Sequence, residues 1–152
     1  MTTPAGEAQA RLVRRGAAAL AVLLWGAACF LPTFYVGPTT PPGFEKLWEG
    51  GLVLAIGWLG PLVFTLAWYA NIPWAIGVVQ ALLGKRPGRI TTTIAFVLGL
   101  TMFAMREAYG EGEGGHGPVS LRIGAFVWLA SLLPLLIVAW MQPKRPKAPP
   151  AA

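Results

Sequence analysis

The sequence predicts an all-α integral membrane protein, a small bundle of four transmembrane helices with a proline- and glycine-broken central segment. Three observations predict it. Hydrophobic residues make up 55% of the 152-residue chain and charged residues 12%, against about 25% charged in an average soluble domain. The apolar residues gather in long runs, at 16–36, 50–84, 90–105 and 119–141. The positive charges gather beside these runs, at Arg11, Arg14 and Arg15, at Lys85, Arg86 and Arg89, and at Lys144, Arg145 and Lys147. One domain is expected, because a bundle of this kind uses nearly the whole chain. The net charge of +6 predicts contact with anionic lipid headgroups rather than with nucleic acid, since the basic residues flank apolar runs. The single cysteine, Cys29, excludes an internal disulfide and any Cys-x-x-Cys motif.

Residues 1–15 are small and polar and predict a disordered, basic, cytoplasmic tail. The run 16–36 has the length of one crossing, with Phe34 and Tyr35 placed for an interfacial aromatic belt. Pro32 would kink or end the helix. Gly26-Ala27-Ala28-Cys29 is the nearest approach to a lipoprotein cleavage box, but the apolar run continues past it, so an uncleaved first helix is expected. Residues 37–47, GPTTPPGFEKL, cannot become helical until their end.

The organising stretch runs from Gly50 to Gly84 and carries no charge. As one straight helix it would be roughly 50 Å long, against about 30 Å of bilayer hydrocarbon. It also contains two breaks, Gly60-Pro61 and Asn71-Ile72-Pro73. Lys85-Arg86-Pro87-Gly88-Arg89 follows as a tight basic turn. The run 90–105 is sixteen residues, near the lower limit for a span, and needs Arg89 and Arg106 to snorkel. Residues 106–118 form an acidic, glycine-rich loop, expected to be flexible. The run 119–141 is the last span, and the proline-rich basic tail 142–152 is expected to be disordered.

Lys and Arg near short loops mark the cytoplasmic side. With all three basic clusters inside, the 50–84 region crosses once, giving four spans with both termini cytoplasmic; two crossings would give five. The preferred arrangement has 50–70 spanning and 74–84 lying along the interface, because Asn before a proline-containing turn ends helices. The other arrangement makes 51–59 a short re-entrant piece and lets 61–83 span.

No ionisable residue falls at mid-bilayer depth, which argues against proton-coupled export. The sharpest local feature is the broken segment, with Trp58, Pro61, Trp68, Tyr69, Asn71, Pro73 and Trp74 as its helix-break or contact residues. Free backbone groups at such a break can line a small site with Asn71 as the polar contact; the plainer reading is a kink packed against neighbours. Glu111, Glu113 and His116 match no rigid zinc pattern, and five glycines between 110 and 117 make ordering that loop costly. Met102 and Met105 read as packing. Ala17/Ala21 and Gly51/Ala55 have the small-xxx-small spacing of close helix contacts. There is no aspartate, the one histidine lies in the glycine loop, and no phosphate-binding loop is present. The sequence therefore predicts neither catalytic residues nor a cofactor or metal site. It predicts a non-catalytic accessory or scaffold subunit that packs against itself or a larger membrane partner through the Trp-rich central hairpin. The alternative is a small oligomeric transporter or channel with 57–73 lining its path. Richness in Ala, Gly, Pro and Arg suggests a bacterial inner membrane.

Overall fold

The computed structural model describes residues 4–40, 42–43, 46–63, 65–109 and 116–141. The chain is mostly helical. Helix α1 (Pro4–Cys29) is followed by strands β1 (Pro32–Val36) and β2 (Lys46–Glu49), then by a short helix α2 (Gly50–Ile56) that tightens into a 3-10 segment, Gly57–Val63. A second 3-10 turn, Ala67–Ala70, leads into α3 (Asn71–Leu82). Helix α4 (Arg89–Leu100) ends in a 3-10 turn, Thr101–Ala104, and strands β3 (Glu107–Tyr109) and β4 (His116–Leu121) precede α5 (Ile123–Met141).

Helices α1, α3, α4 and α5 form the bundle. Its core is made of Ala18, Ala21, Trp74, Val78, Leu132 and Leu135, with Ala81 and Ala95 beside them. The alanines let α1 approach its neighbours closely, the device small residues serve between helices in a membrane. The close contact uses Ala18, Ala21 and Ala28; Gly51 and Ala55 of the expected second motif are exposed.

Two helices are long and apolar enough to cross a membrane, α1 and α5, and a third crossing is reached if the bent pair Gly50–Leu62 and Ala67–Leu82 counts as one span. This corrects the expectation of four. The run Arg89–Ala104 is helical as expected but short. The all-α expectation is corrected too, because the two inter-helix connections at one end of the bundle pair into a four-stranded antiparallel sheet of order β2-β1-β4-β3. Phe34 stands opposite both Trp48 and Leu121, and Glu107 opposite Pro118. Residues 32–36, counted in the sequence as the end of the first span, therefore belong to a strand. The helix stops at Cys29, short of Pro32, and the Thr-Phe-Tyr-Val that follows is β-branched and aromatic, suited to a pleated, half-buried surface. Likewise 119–121 is strand rather than span, and most of the described part of the 106–118 loop is a hairpin. Glu111 and Glu113 lie outside the described residues, as does the tail 142–152.

Residues 4–15 are corrected from a disordered tail to the first turns of α1. Alanine-rich, with Glu7 and Arg11 3.7 Å apart at i,i+4 spacing, they have the composition and pairing that favour helix.

The arginines tie the other end of the bundle together. Arg14 Nη1 donates to the Gly84 carbonyl and Arg15 Nε to that of Leu82 (3.3 Å). Arg86 Nη2 and Arg89 Nε both donate to the Ala139 carbonyl, at 2.9 and 3.1 Å, and Arg89 lies over the Trp140 ring. Cations at the last carbonyls of α3 and α5 also meet the negative ends of their helix dipoles. Burial first, then the like charges of Arg89 and Arg14, lower the pKa of Arg86. Helix α3 itself closes in a Schellman turn: Gly84 takes a positive φ of 71°, its N–H reaches the Ala81 carbonyl and that of Lys85 reaches Gln80.

Candidate apolar pocket beside the broken segment

The broken segment folds back on itself. Its two arms, 50–62 and 67–82, meet at 119°. Two glycines make the fold-back close. A Cβ at Gly60 would stand 2.6 Å from the Thr65 carbonyl oxygen, and one at Gly57 would strike the Trp68 indole. Backbone and side-chain groups freed by the break find partners within the hairpin. Thr65 N–H donates to the Gly60 carbonyl (3.0 Å), Trp68 Nε1 to Leu54 (2.7 Å) and Tyr69 Oη to Trp58 (2.9 Å). Thr101 at the end of α4 accepts from the Leu66 N–H (3.0 Å), which fastens the tip to the bundle.

This geometry corrects the preferred arrangement of the centre. Residues 50–70 do not form one continuous helix, and 74–82 belongs to a helix packed into the bundle. Trp74, Gly77, Val78 and Ala81 of α3 are buried in the bundle, and Trp74 Nε1 donates to the Ser131 carbonyl in mid-α5 (3.2 Å). Asn71-Ile72-Pro73 starts a helix instead of ending one. Pro73 falls in the first turn of α3, where its missing N–H leaves nothing unpaired. The other arrangement puts the break near Gly60 and a kink at Pro73; the break found lies between Leu62 and Ala67, and Pro73 opens α3.

Asn71 is the polar hub of the bundle. Its Oδ1 accepts from the indole N–H groups of Trp25 (3.0 Å) and Trp128 (3.1 Å), and its Nδ2 donates to the Trp68 carbonyl (2.8 Å). Trp25 also stacks on Trp74, with ring centroids 5.5 Å apart. One side chain thus joins α1, α3, α5 and the hairpin.

Between hairpin, sheet and bundle lies a cavity of about 310 Å³. The hairpin supplies Leu54, Gly57, Leu59, Gly60, Thr65 and Trp68 to its wall, and α1 supplies Trp25, Ala28 and Cys29. Asn71 and Trp128 close it toward the bundle, and Met102 and Met105 close it from the end of α4. One face of the sheet roofs it with Phe34, Trp48, Leu121 and Ala108; Phe34 and Trp48 are stacked at 5.8 Å. Among the described residues none that is charged lines it.

Of the residues singled out in the sequence, Trp68 and Asn71 line the cavity, Trp74 is buried behind them, and Tyr69 braces the hairpin through Trp58. Trp58 and Pro61 face outward and Pro73 sits in the first turn of α3. Sequence reading missed Trp48, Phe34 and Trp128, which reach the site only through the sheet and the packing of α5. The strand signal was present in the alternation of Phe34 and Val36, both set on the face that carries Trp48. His116 is exposed in β4, paired with Tyr109 and bridged to Thr40. Among the described residues no three of His, Cys, Asp and Glu come together as metal ligands.

No protein-family model matches the chain, and neither a curated protein nor a solved structure matches it.

Proposed function

We infer that the protein is a non-catalytic, membrane-embedded binding module whose broken central segment walls a pocket for an apolar molecule taken from the bilayer. The observation that carries this reading is the cavity itself. It has the volume at which small-ligand pockets begin, about 300 Å³, and the described residues of its wall carry no charge. A general acid or base would need an ionisable side chain within hydrogen-bond reach of a guest. The potential nucleophiles on the described wall are Cys29 and the hydroxyls of Thr33 and Thr65, and among the described residues no His, Asp, Glu or Lys stands there to activate them.

The contact-scaffold reading needed the hairpin tryptophans on the outside. Trp68 and Trp74 turn inward, and Trp58 alone among the three is exposed, which weighs toward a pocket. The channel reading needed Asn71 free to meet a solute, whereas its carbonyl oxygen holds two indoles. In this reading α1 and α5 cross the bilayer, the arginine end lies in the cytoplasm with both termini, and the sheet covers the opposite surface.

Native mass spectrometry of the full chain extracted in mild detergent tests the pocket. The protein is expected to retain a bound apolar molecule that Ala67→Phe, which fills the cavity from the hairpin side, removes while the helical circular dichroism stays unchanged. Equal retention by the wild type and a folded Ala67→Phe variant would overturn the reading.

A further inference from the structure

Charged groups bound the apolar part of the molecule at both ends, and the chain fixes the distance between them. At the sheet end Glu49, Arg106 and Arg122 are exposed where strands meet helices. Three backbone bonds hold these junctions together. The Gly50 N–H donates to the Leu31 carbonyl (3.0 Å), the Arg122 N–H to that of Thr33 (2.8 Å) and the Val119 N–H to that of Arg106 (2.9 Å). The sheet beyond them is open, with β2 and β3 as its edges, and open edges do not lie in hydrocarbon. At the other end Arg86 and Arg89 donate to the Ala139 carbonyl, and Arg14 and Arg15 to those of Gly84 and Leu82. A long cationic side chain ordinarily snorkels and lets a short helix serve a thicker bilayer. These four are tied to helix ends and give up that reach.

Between the two charged levels α5 contributes 123–139, a rise of about 25 Å at 1.5 Å per residue. Helix α1 contributes 16–29, from the residue after Arg15 to its end at Cys29, or about 21 Å. The stretch 90–104, α4 and its closing 3-10 turn between Arg89 and Arg106, rises about 24 Å. None of the three stretches carries a charge, and Leu20, Leu23, Ile94, Val97, Leu133 and Ile137 are exposed along them. Three helices thus agree on an apolar belt of about 21–25 Å, against about 30 Å of hydrocarbon in a typical bilayer. Tilting a helix only lowers its height.

We propose that this belt selects a thin bilayer: the protein's lipid partner is short-chained, and a membrane of longer chains has to thin around it. The inference rests on the reading that α1 and α5 cross the bilayer, and it is independent of the pocket.

The full chain is reconstituted into vesicles of phosphatidylcholines whose two chains carry 14, 16, 18, 20 or 22 carbons and one double bond each, which keeps every bilayer fluid. An alkaline wash and flotation show how much protein is embedded, and the thermal midpoint of tryptophan fluorescence is then read in each lipid. The midpoint is expected to be highest at 14 or 16 carbons and to fall by about 5–10 °C toward 22 carbons. A maximum at 18 carbons or beyond, or one midpoint in all five lipids, would overturn the thin belt while the crossing of α1 and α5 stands. Protein that the alkaline wash strips from every vesicle would overturn the crossing itself, and the belt with it.

Discussion

At the scale of single residues, Asn71 ties α1, α3, α5 and the hairpin together through one side chain. Replacing it with leucine keeps the branched shape and strands two indole N–H groups, those of Trp25 and Trp128, in partly buried positions. Each unpaired buried donor costs about 1–3 kcal/mol. Asn71→Leu should therefore lower the stability of the detergent-solubilised protein by about 2–4 kcal/mol, read as a fall in the thermal midpoint of tryptophan fluorescence. An unchanged midpoint would mean that the indoles find other acceptors and that Asn71 is not the hub. The importance of Asn71 was legible in the sequence, since an amide in a long uncharged run has to find partners. Its role was not, because its partners come from α1 and α5, 46 and 57 residues away in sequence. Trp48 shows the same limit. Nothing in Lys-Leu-Trp-Glu says that the indole turns under a sheet; the pairing with Phe34 does.

Among elements, the hairpin 50–70 departs furthest from a simple membrane helix, and its departure has a local cause. Gly60 admits the Thr65 carbonyl at a distance no Cβ tolerates. The obstacle is backbone rather than a flexible side-chain end, so it cannot step aside. Gly60→Val should open the hairpin, detach its tip from Thr101 and expose the cavity. The expected cost is about 1–3 kcal/mol, in the range of overpacking a close contact, together with faster N-ethylmaleimide modification of Cys29 in the absence of any guest. A Gly60→Val protein with the labelling rate of the wild type would show that the hairpin does not gate access. That the central run must break followed from its length and its prolines. Where it breaks did not, because proline has opposite meanings at the two ends of a helix: Pro73 reads as a stop in isolation and is a start once α3 is packed. Strands β1 to β4 were hidden for a related reason. Four short segments of three to six residues acquire their identity only when two distant connections meet, and an apolar strand beside an apolar helix lengthens the run instead of interrupting it.

For the whole molecule, the two ends differ in chemistry. One end carries Arg14, Arg15, Arg86 and Arg89, bonded to the final carbonyls of α3 and α5. The other carries the sheet, with Glu49, Glu107, Lys46 and Arg122 around it. The N-terminal half of α1, the 83–88 turn and the end of α5 thus share one end, the arrangement that a single net traverse of the 50–84 region produces. In the proposed orientation that end faces the cytoplasm, where its basic clusters would meet anionic headgroups at about 1 kcal/mol per charge near the surface. On a Cys29→Ser background, a cysteine at Thr40 should react with an impermeant maleimide added to intact cells, and a cysteine at Lys85 should react only after the cells are opened. Both positions are exposed, so a silent site reports its side of the membrane rather than burial. Reaction at 85 with 40 silent would invert the molecule, place the arginine end outside and move Trp48 to the inner leaflet. Reaction at both in intact cells would contradict the bundle itself, because Arg14 bonded to Gly84 and Arg89 bonded to Ala139 leave no room for a membrane between them.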